Sequence, residues 1–351
     1  MTQARTSYDG KHIYIGIDVH RKSYTLTCRC EGVMIKRCHM AAEPTAVVEF
    51  CRKQFPGASF TSAYEAGFRG FGLHRTLCAH DIRNIVVHPA SIEVAAHDRV
   101  KTDKRDSAKI AEQLAAGRLQ SIRVPTEDEE QKRLLTRGRE QLLRHRTRLQ
   151  NQLRMRLHQF GLLAPTDRRR MCREMVTEVL QQASLSPELR VMIETFSTIW
   201  QGIDEQLRHL GAKLREPAKH DPLEQWYRSV PGIGPLAARV LANELGDKQQ
   251  FLNERALFSF TGLTPSEASS GDTRRIGHIS RQGAGRLRYV LSESAWVAIR
   301  KDPDLATAFE RIALHAGKKR AIVAIARKLV GRIRAVIRTQ QRYKIGKPQP
   351  A

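Results

Sequence analysis

No apolar stretch in this 351-residue chain is long enough to span a bilayer, and its opening residues, MTQARTSYDG, lack the apolar core of a signal peptide. The expectation is therefore a cytoplasmic protein with no membrane partner. Cysteine is sparse: the six residues at 28, 30, 38, 51, 78 and 172 crowd toward the first part of the chain without the even spacing of a secreted disulfide framework. They read as core thiols. Cys28, Cys30, Cys38 and His39 could in principle ligate zinc, but no paired C-x-x-C is present and Cys28 and Cys30 fall on one face of an expected strand. Acidic residues are outnumbered, 36 against 60 Lys and Arg, leaving a formal charge of +24. So large an excess attracts any polyanion over a broad surface, and nucleic acid is the expected partner. With 41% hydrophobic residues the chain has ample material for two or three cored domains.

Along the first part of the chain, HIYIGIDV (12–19), SYTLTCRC (23–30) and GVMIKRCHM (32–40) read as three consecutive strands joined by turn-sized gaps. A helix near 44–55, a strand over 58–66, a helix over 71–80 and a strand over 83–89 follow, an alternation that implies a mixed sheet with helices against it. A further helix contains KTDKRDSAKIAEQL, and SIRVP (121–125) closes the region.

After Pro125 the text becomes charged, arginine-rich and leucine-spaced at three and four, the pattern of a long amphipathic helix. Its expected partners are RRRMCREMVTEVLQQASL and a helix over 187–216, giving an antiparallel coiled-coil arm or an ordinary helical bundle. Arg144, Arg146, Arg148, Arg154 and Arg156 on the first helix suit a phosphate backbone as well as solvent. Farther on, VPGIGPLAA (230–238) has the form of a helix-hairpin-helix, with Gly232 and Gly234 permitting a tight turn that leaves amides at a helix start. A glycine turn between two packed helices is the competing reading. Then come a helix and turn over 251–265, a polar hairpin or loop over 266–280, a helix over 285–300 and a basic amphipathic helix at the end.

Four acids stand out. In an RNase H-like fold the first strand carries an acid at its end and a later strand carries another. Asp18 ends YIGID and Glu65 ends TSAYE, while Asp103 and Asp106, at i and i+3 of a helix start, point the same way. Four such carboxylates repel one another unless cations neutralise them, and their hard oxygens suit Mg2+ or Mn2+ and phosphodiester chemistry. Each has a bland counterpart: an Asx turn for Asp18, an ion pair with Arg69 for Glu65, and helix capping by Asp103 or Thr102 with Asp106 at the positive end of the dipole.

In order and over nearly the whole chain, YIGIDVHRKSYTL, YEAGFRG, KTDKRDSAKIAEQLA, VPGIGPLAARVL, FTGLTP, SSGDTRR and HISRQGAGRLRYVL resemble the DEDD transposases of the IS-one-ten type insertion sequences, relatives of the Piv and MooV invertases. The resemblance implies an RNase H-like (RuvC-like) domain over 1–125, a helical coiled-coil arm over 126–221 and a mainly helical carboxy-terminal transposase domain over 222–345. It places the metal-holding acids on Asp18, Glu65, Asp103 and Asp106, and a catalytic serine on Ser270, before Gly271, with Ser269 as the alternative. It further implies a homo-oligomer, dimer or tetramer, joining donor and target DNA through a covalent serine-DNA link, under direction of a structured guide RNA. Arg274, Arg275 and Arg281 are near enough in sequence to Ser270 to neutralise a phosphate. Ser107, after Asp106, departs from the family, where alanine is common. The competing enzymatic reading is a metal-dependent nuclease or junction resolvase in which water attacks. A non-catalytic nucleic-acid-binding protein is the third.

Overall fold

A computed structural model describes residues 7–93, 102–182, 185–247, 250–251, 253–267 and 276–345, and the chain divides into two compact units, Met1–Val124 and Pro125–Ala351.

The first unit is built on β1 (His12–Val19), β2 (Ser23–Cys30), β3 (Val33–Ala41), α1 (Pro44–Gln54), β4 (Ser59–Glu65), α2 (Gly72–Ala79), β5 (Arg83–Val87) and α3 (Asp103–Ala115). Its five strands lie in the order β3-β2-β1-β4-β5. The first three pair antiparallel, as short gaps permit, whereas β1, β4 and β5 are parallel because a helix intervenes in each connection. Alternation along β1 sends Ile13, Ile15 and Ile17 to one face, where they are buried with Leu26, Cys28, Val47, Cys51 and Leu77 beneath α1 and α2. Each such aliphatic side chain contributes roughly 1.5–3 kcal/mol by leaving water. The opposite face, carrying Tyr14 and Ala63, is covered by α3 through Ile110 and Leu114.

Gly16 sets how closely α3 approaches. A Cβ there would come within 2.1 Å of the Ser107 carbonyl oxygen and 2.4 Å of the Ala111 nitrogen. The helix backbone rests on the strand at this point, and no side chain fits between them.

The cysteines are free thiols, with Cys28 and Cys51 fully buried. Cys28 and Cys38 belong to the α1/α2 face, whereas His39 Nδ1 lies 3.1 Å from Thr25 Oγ1, whose β1 partner is Asp18 on the α3 face. That split across the sheet disposes of the zinc set. SIRVP makes a single bridge, Val87 to Ser121, in place of a full strand. Ile122 and Val124 spend their apolar surface on the core, and Pro125 follows without an N–H for a ladder.

The second unit is helical: α4 (Glu127–Gln159), α5 (Arg173–Leu180), α6 (Pro187–Ala218), α7 (Pro222–Ser229), α8 (Pro235–Leu245), α9 (Glu254–Thr261), a hairpin of β6 (Pro265–Glu267) and β7 (Ile276–Ile279), then α10 (Gly285–Ala298), α11 (Pro303–Ala316) and α12 (Lys318–Thr339). Thr126 and Glu129 form a capping box at the start of α4. α4 and α6 run antiparallel: Arg146 pairs with Asp204 at 3.0 Å, and nearer the far end Leu153 and Leu157 share a core with Ile193 and Trp200. A second core gathers Leu241, Leu287, Leu291, Ile325, Leu329 and Ile333 from α8, α10 and α12.

Candidate acid cluster and nucleic-acid surfaces

Asp18 stands at the carboxyl end of β1, on the face that α3 covers. Thr102, in an extended conformation, caps α3 by accepting the Arg105 N–H at 3.3 Å. Capping is thus the work of Thr102, and the carboxylates of Asp103 and Asp106 in the first turn are left for other partners. The Asp103 carboxylate reaches back to the sheet: His20 Nε2 lies 3.2 Å from Asp103 Oδ1 and 3.1 Å from Asp18 Oδ2. One ligand atom from each of Asp18, His20 and Asp103 falls within 4.8 Å of the others, a group suited to a metal ion. His20 was not singled out by sequence reasoning, although its position two residues past Asp18 carried the signal.

Glu65 ends β4, one step beyond the Ile17–Tyr64 pair of the parallel β1/β4 ladder. Alternation from Ala63, which packs under α3, puts Glu65 on the same face as Asp18, and its side chain is exposed. The converging atoms are those of Asp18, His20 and Asp103. Asp106 is on the same helix turn as Asp103 and its charge acts on Asp18, whereas Glu65 is not among the converging groups.

Electrostatics favour a cation here. Burial pushes the Asp18 carboxyl above its ordinary value, His20 opposes this, and the charges of Asp103 and Asp106 push it further up. Asp18 is the sheltered member, its side chain 19% exposed against 51% for Asp103. Hard oxygen donors carrying surplus negative charge, open to water on one side, fit a divalent ion.

In the second unit, Ser269, Ser270, Arg274 and Arg275 lie outside the described residues, while β6 and β7 flank the segment that contains them. Arg281, just past β7, is exposed and holds a left-handed φ of 57°. Gly232, with φ 84°, packs against α10, where a Cβ would meet the Ser294 carbonyl oxygen at 2.1 Å; Gly234, at the start of α8, is exposed with open space around it. The glycine-turn reading therefore accounts for Gly232 by itself. On α4, Arg146 and Arg154 are structural, Arg154 donating to the Asp167 carbonyl at 3.2 Å. Arg148, Arg156 and Arg144, the last paired with Glu140, line a groove of about 820 Å³ with Glu140, Met155, Phe196 and Tyr289. Among the described residues no helix is long and apolar enough to cross a membrane.

Residues 15–161 match a family model for the DEDD transposases of IS110 type, and residues 225–310 match the model described as Transposase IS116/IS110/IS902 family. The chain is 32% identical to the y4qE protein of Sinorhizobium fredii over 66% of its own length, spanning 57% of that relative. It is 27% identical to the transposase for insertion sequence element IS1111A of Coxiella burnetii, covering 78% of this chain and 76% of that one. With the transposase for IS1328 of Yersinia enterocolitica it shares 24% identity over 82% of this chain and 84% of the relative. On both models and on these relatives, the chain belongs to the IS110 family of insertion-sequence transposases, an enzyme of DNA strand transfer whose acid set implies a divalent metal.

Proposed function

We propose that this transposase cuts and joins DNA through a covalent serine-DNA intermediate, in a site where an RNase H-like acid set holds Mg2+ and a structured RNA selects the DNA partners. The observation that carries the reading is the meeting of Asp18, from a strand end, with Asp103, from a helix start, around His20. The sheet order β3-β2-β1-β4-β5, an antiparallel meander continued by parallel strands, supports the RNase H-like assignment. Asp18, Glu65, Asp103 and Asp106 would hold Mg2+, with Mn2+ as a substitute. Bound there, the metal supplies positive charge that stabilises the oxygens entering and leaving phosphorus.

The chain's own groups do the rest. Ser270 is the proposed nucleophile: a bond from its Oγ to phosphorus forms as the bond from phosphorus to a sugar oxygen breaks, the serine losing its proton and the sugar gaining one. His20 holds Asp18 and Asp103 together. Arg274, Arg275 and Arg281 would neutralise the phosphate near the serine, and Gly234, Arg144 and Arg148 would serve the backbone elsewhere, with Gly232 shaping the turn. The division into an acid domain over 1–125, an arm over 126–221 and a serine domain over 222–345 suits a composite site shared between chains of a dimer or tetramer.

The test is to incubate the protein with Mg2+, guide RNA and DNA, then denature. A protein-DNA adduct is expected from the wild type and from Ser269→Ala, and none from Ser270→Ala. Asp103→Asn is expected to bind DNA yet form neither adduct nor joined product. Cleaved DNA without any adduct would establish attack by water, the nuclease or resolvase chemistry, and end the serine reading.

A further inference from the structure

Beside the hairpin of β6 and β7 lies a cavity of about 670 Å³, walled on one side by β7 and the turn after it and on the other by the first two turns and more of α12. Basic side chains stand among its apolar ones, Leu263, Pro265, Ile279, Val323 and Ala324. His278 and Arg281 come from the hairpin side, Lys319, Arg320 and Arg327 from α12, and Val323 lies between them on the helix. Among the described residues no carboxylate lines it, and none of these four Lys and Arg side chains forms an ion pair with an acid. Elsewhere in this unit basic side chains are routinely matched, as Arg137 is with Glu244 and Arg332 with Asp302. Unmatched by acids among the described residues, these side chains give the cavity a positive field with an open mouth, which a polyanion answers.

Its parts are held in place. Arg320, Val323, Ala324 and Arg327 follow at i, i+3, i+4 and i+7, so one stripe of α12 faces the hairpin. The Arg327 guanidinium sits 4.6 Å above the ring of Phe258, which restricts its orientation. Arg281 keeps a left-handed backbone that is strained for a non-glycine residue, and the turn behind it is fixed by Gly283, where a Cβ would come within 2.5 Å of the Phe260 carbonyl oxygen. Arg288, which donates to the Thr261 and Gly283 carbonyls at 3.2 and 3.3 Å, fixes the same turn. Burial and the neighbouring Arg281 charge both lower its pKa, as expected where cations gather without acids.

We propose that this cavity binds the phosphodiester backbone of a DNA strand, with Lys319, Arg320 and Arg327 of α12 joining Arg281 as phosphate ligands beside the hairpin. None of the three α12 residues was reached from the sequence, where the terminal helix read only as basic and amphipathic. The inference rests on the chain being an enzyme of DNA strand transfer and not on Ser270 being the nucleophile. A strand held here would pass alongside the two strands that flank residues 268–275.

The test measures binding of a fluorescein-labelled, random-sequence DNA duplex to the full-length protein over a salt series. Removing two phosphate contacts in Lys319→Gln/Arg320→Gln should flatten the slope of log K against log salt by roughly 1.8. The charge-matched control Lys213→Gln/Lys301→Gln, at exposed positions away from the cavity, should move it by less than half as much. Lys319→Arg/Arg320→Lys, which keeps both charges, should retain the wild-type slope. Equal slopes for the cavity and control variants, with circular dichroism showing both folded, would overturn the proposal. So would a loss confined to an RNA duplex of the same sequence, since that would make RNA the occupant. Failure of the serine reading would leave these slopes unchanged and would show only as a missing adduct.

Discussion

The hydroxyl of Ser107 lies 2.9 Å from that of Thr27, a hydrogen bond between α3 and β2 in a part of the first unit where neither residue reaches solvent. Ser107 follows Asp106 directly, so this bond fixes the helix turn carrying the acids to β2, the strand next to the one that carries Asp18 near its end. The hydroxyl at position 107 thus has a partner that an alanine could not supply. Ser107→Ala should cost about 1–3 kcal/mol, because Thr27 would be left buried and unsatisfied. Thr27→Val in the same background should recover much of that loss. Denaturant unfolding of the two single variants and the double variant measures the coupling.

Gly16 offers a sharper test of the same junction. Gly16→Ala puts a carbon at 2.1 Å from a helix carbonyl, and neither backbone can yield without moving α3 away from the sheet. Asp103 and Asp106 travel with that helix, so strand transfer should fall by at least about a hundredfold, in line with the cost of an ångström-scale misplacement of catalytic groups. Duplex DNA binding should stay within a fewfold of wild type, being a broad property of a +24 chain. Parallel transfer and binding assays check this, and equal loss in both would place the effect in folding.

If the acid cluster holds a divalent ion, the ion stabilises the first unit by mass action. At a concentration one hundred times its dissociation constant Mg2+ should add about 2.7 kcal/mol, and EDTA should remove it. Asp18→Asn and Asp103→Asn should abolish the Mg2+-dependent rise in melting temperature. Both variants should melt higher than wild type in EDTA, since Asp18→Asn removes the carboxyl that burial pushes up and Asp103→Asn removes one of the charges that push it further. Calorimetric scans with and without metal give both comparisons. A rise that persists in both variants would put the metal elsewhere.

The first unit was legible because its apolar side chains fall on alternate strand positions, Ile13, Ile15 and Ile17 in HIYIGIDV and Tyr24, Leu26 and Cys28 in SYTLTCRC, although α3 buries Gly16, Thr25 and Thr27 on the other face as well. What escaped was decided by tertiary contacts. Periodicity ran through RRRMCREMV, yet α5 begins only at Arg173, because the Asp167 side chain accepts the Arg169 N–H at 2.9 Å and holds the preceding chain in a turn. α11 was overlooked despite a readable start, Asp302 as cap and Pro303 in the first turn. Of the candidate cluster, Asp18 and Asp103 are singled out by a fold hypothesis and the structure brings them together; His20 is not, since a histidine after a strand has no periodic signature. The cationic cavity needed the hairpin and α12, far apart in sequence, to meet.

Asp302 supplies the clearest pH prediction. Its side chain is fully buried, caps α11 by accepting the Asp304 and Leu305 N–H groups, pairs with Arg332 and accepts the Tyr343 hydroxyl at 2.9 Å. Burial alone would push its carboxyl up, but Tyr343 and Arg332 outweigh it and hold the group below its ordinary 3.8. A depressed carboxyl contributes stability that is fully present above the unfolded value and is lost as the pH falls through the folded one. The second unit should therefore lose stability steeply as pH falls below about 4, and Asp302→Asn should flatten that dependence. At neutral pH the same change should cost about 3 kcal/mol, since it leaves the largely buried Arg332 charge without its partner. Melting temperatures of wild type and variant between neutral and acid pH decide the matter: parallel curves would mean that Asp302 titrates alike in the folded and unfolded chain.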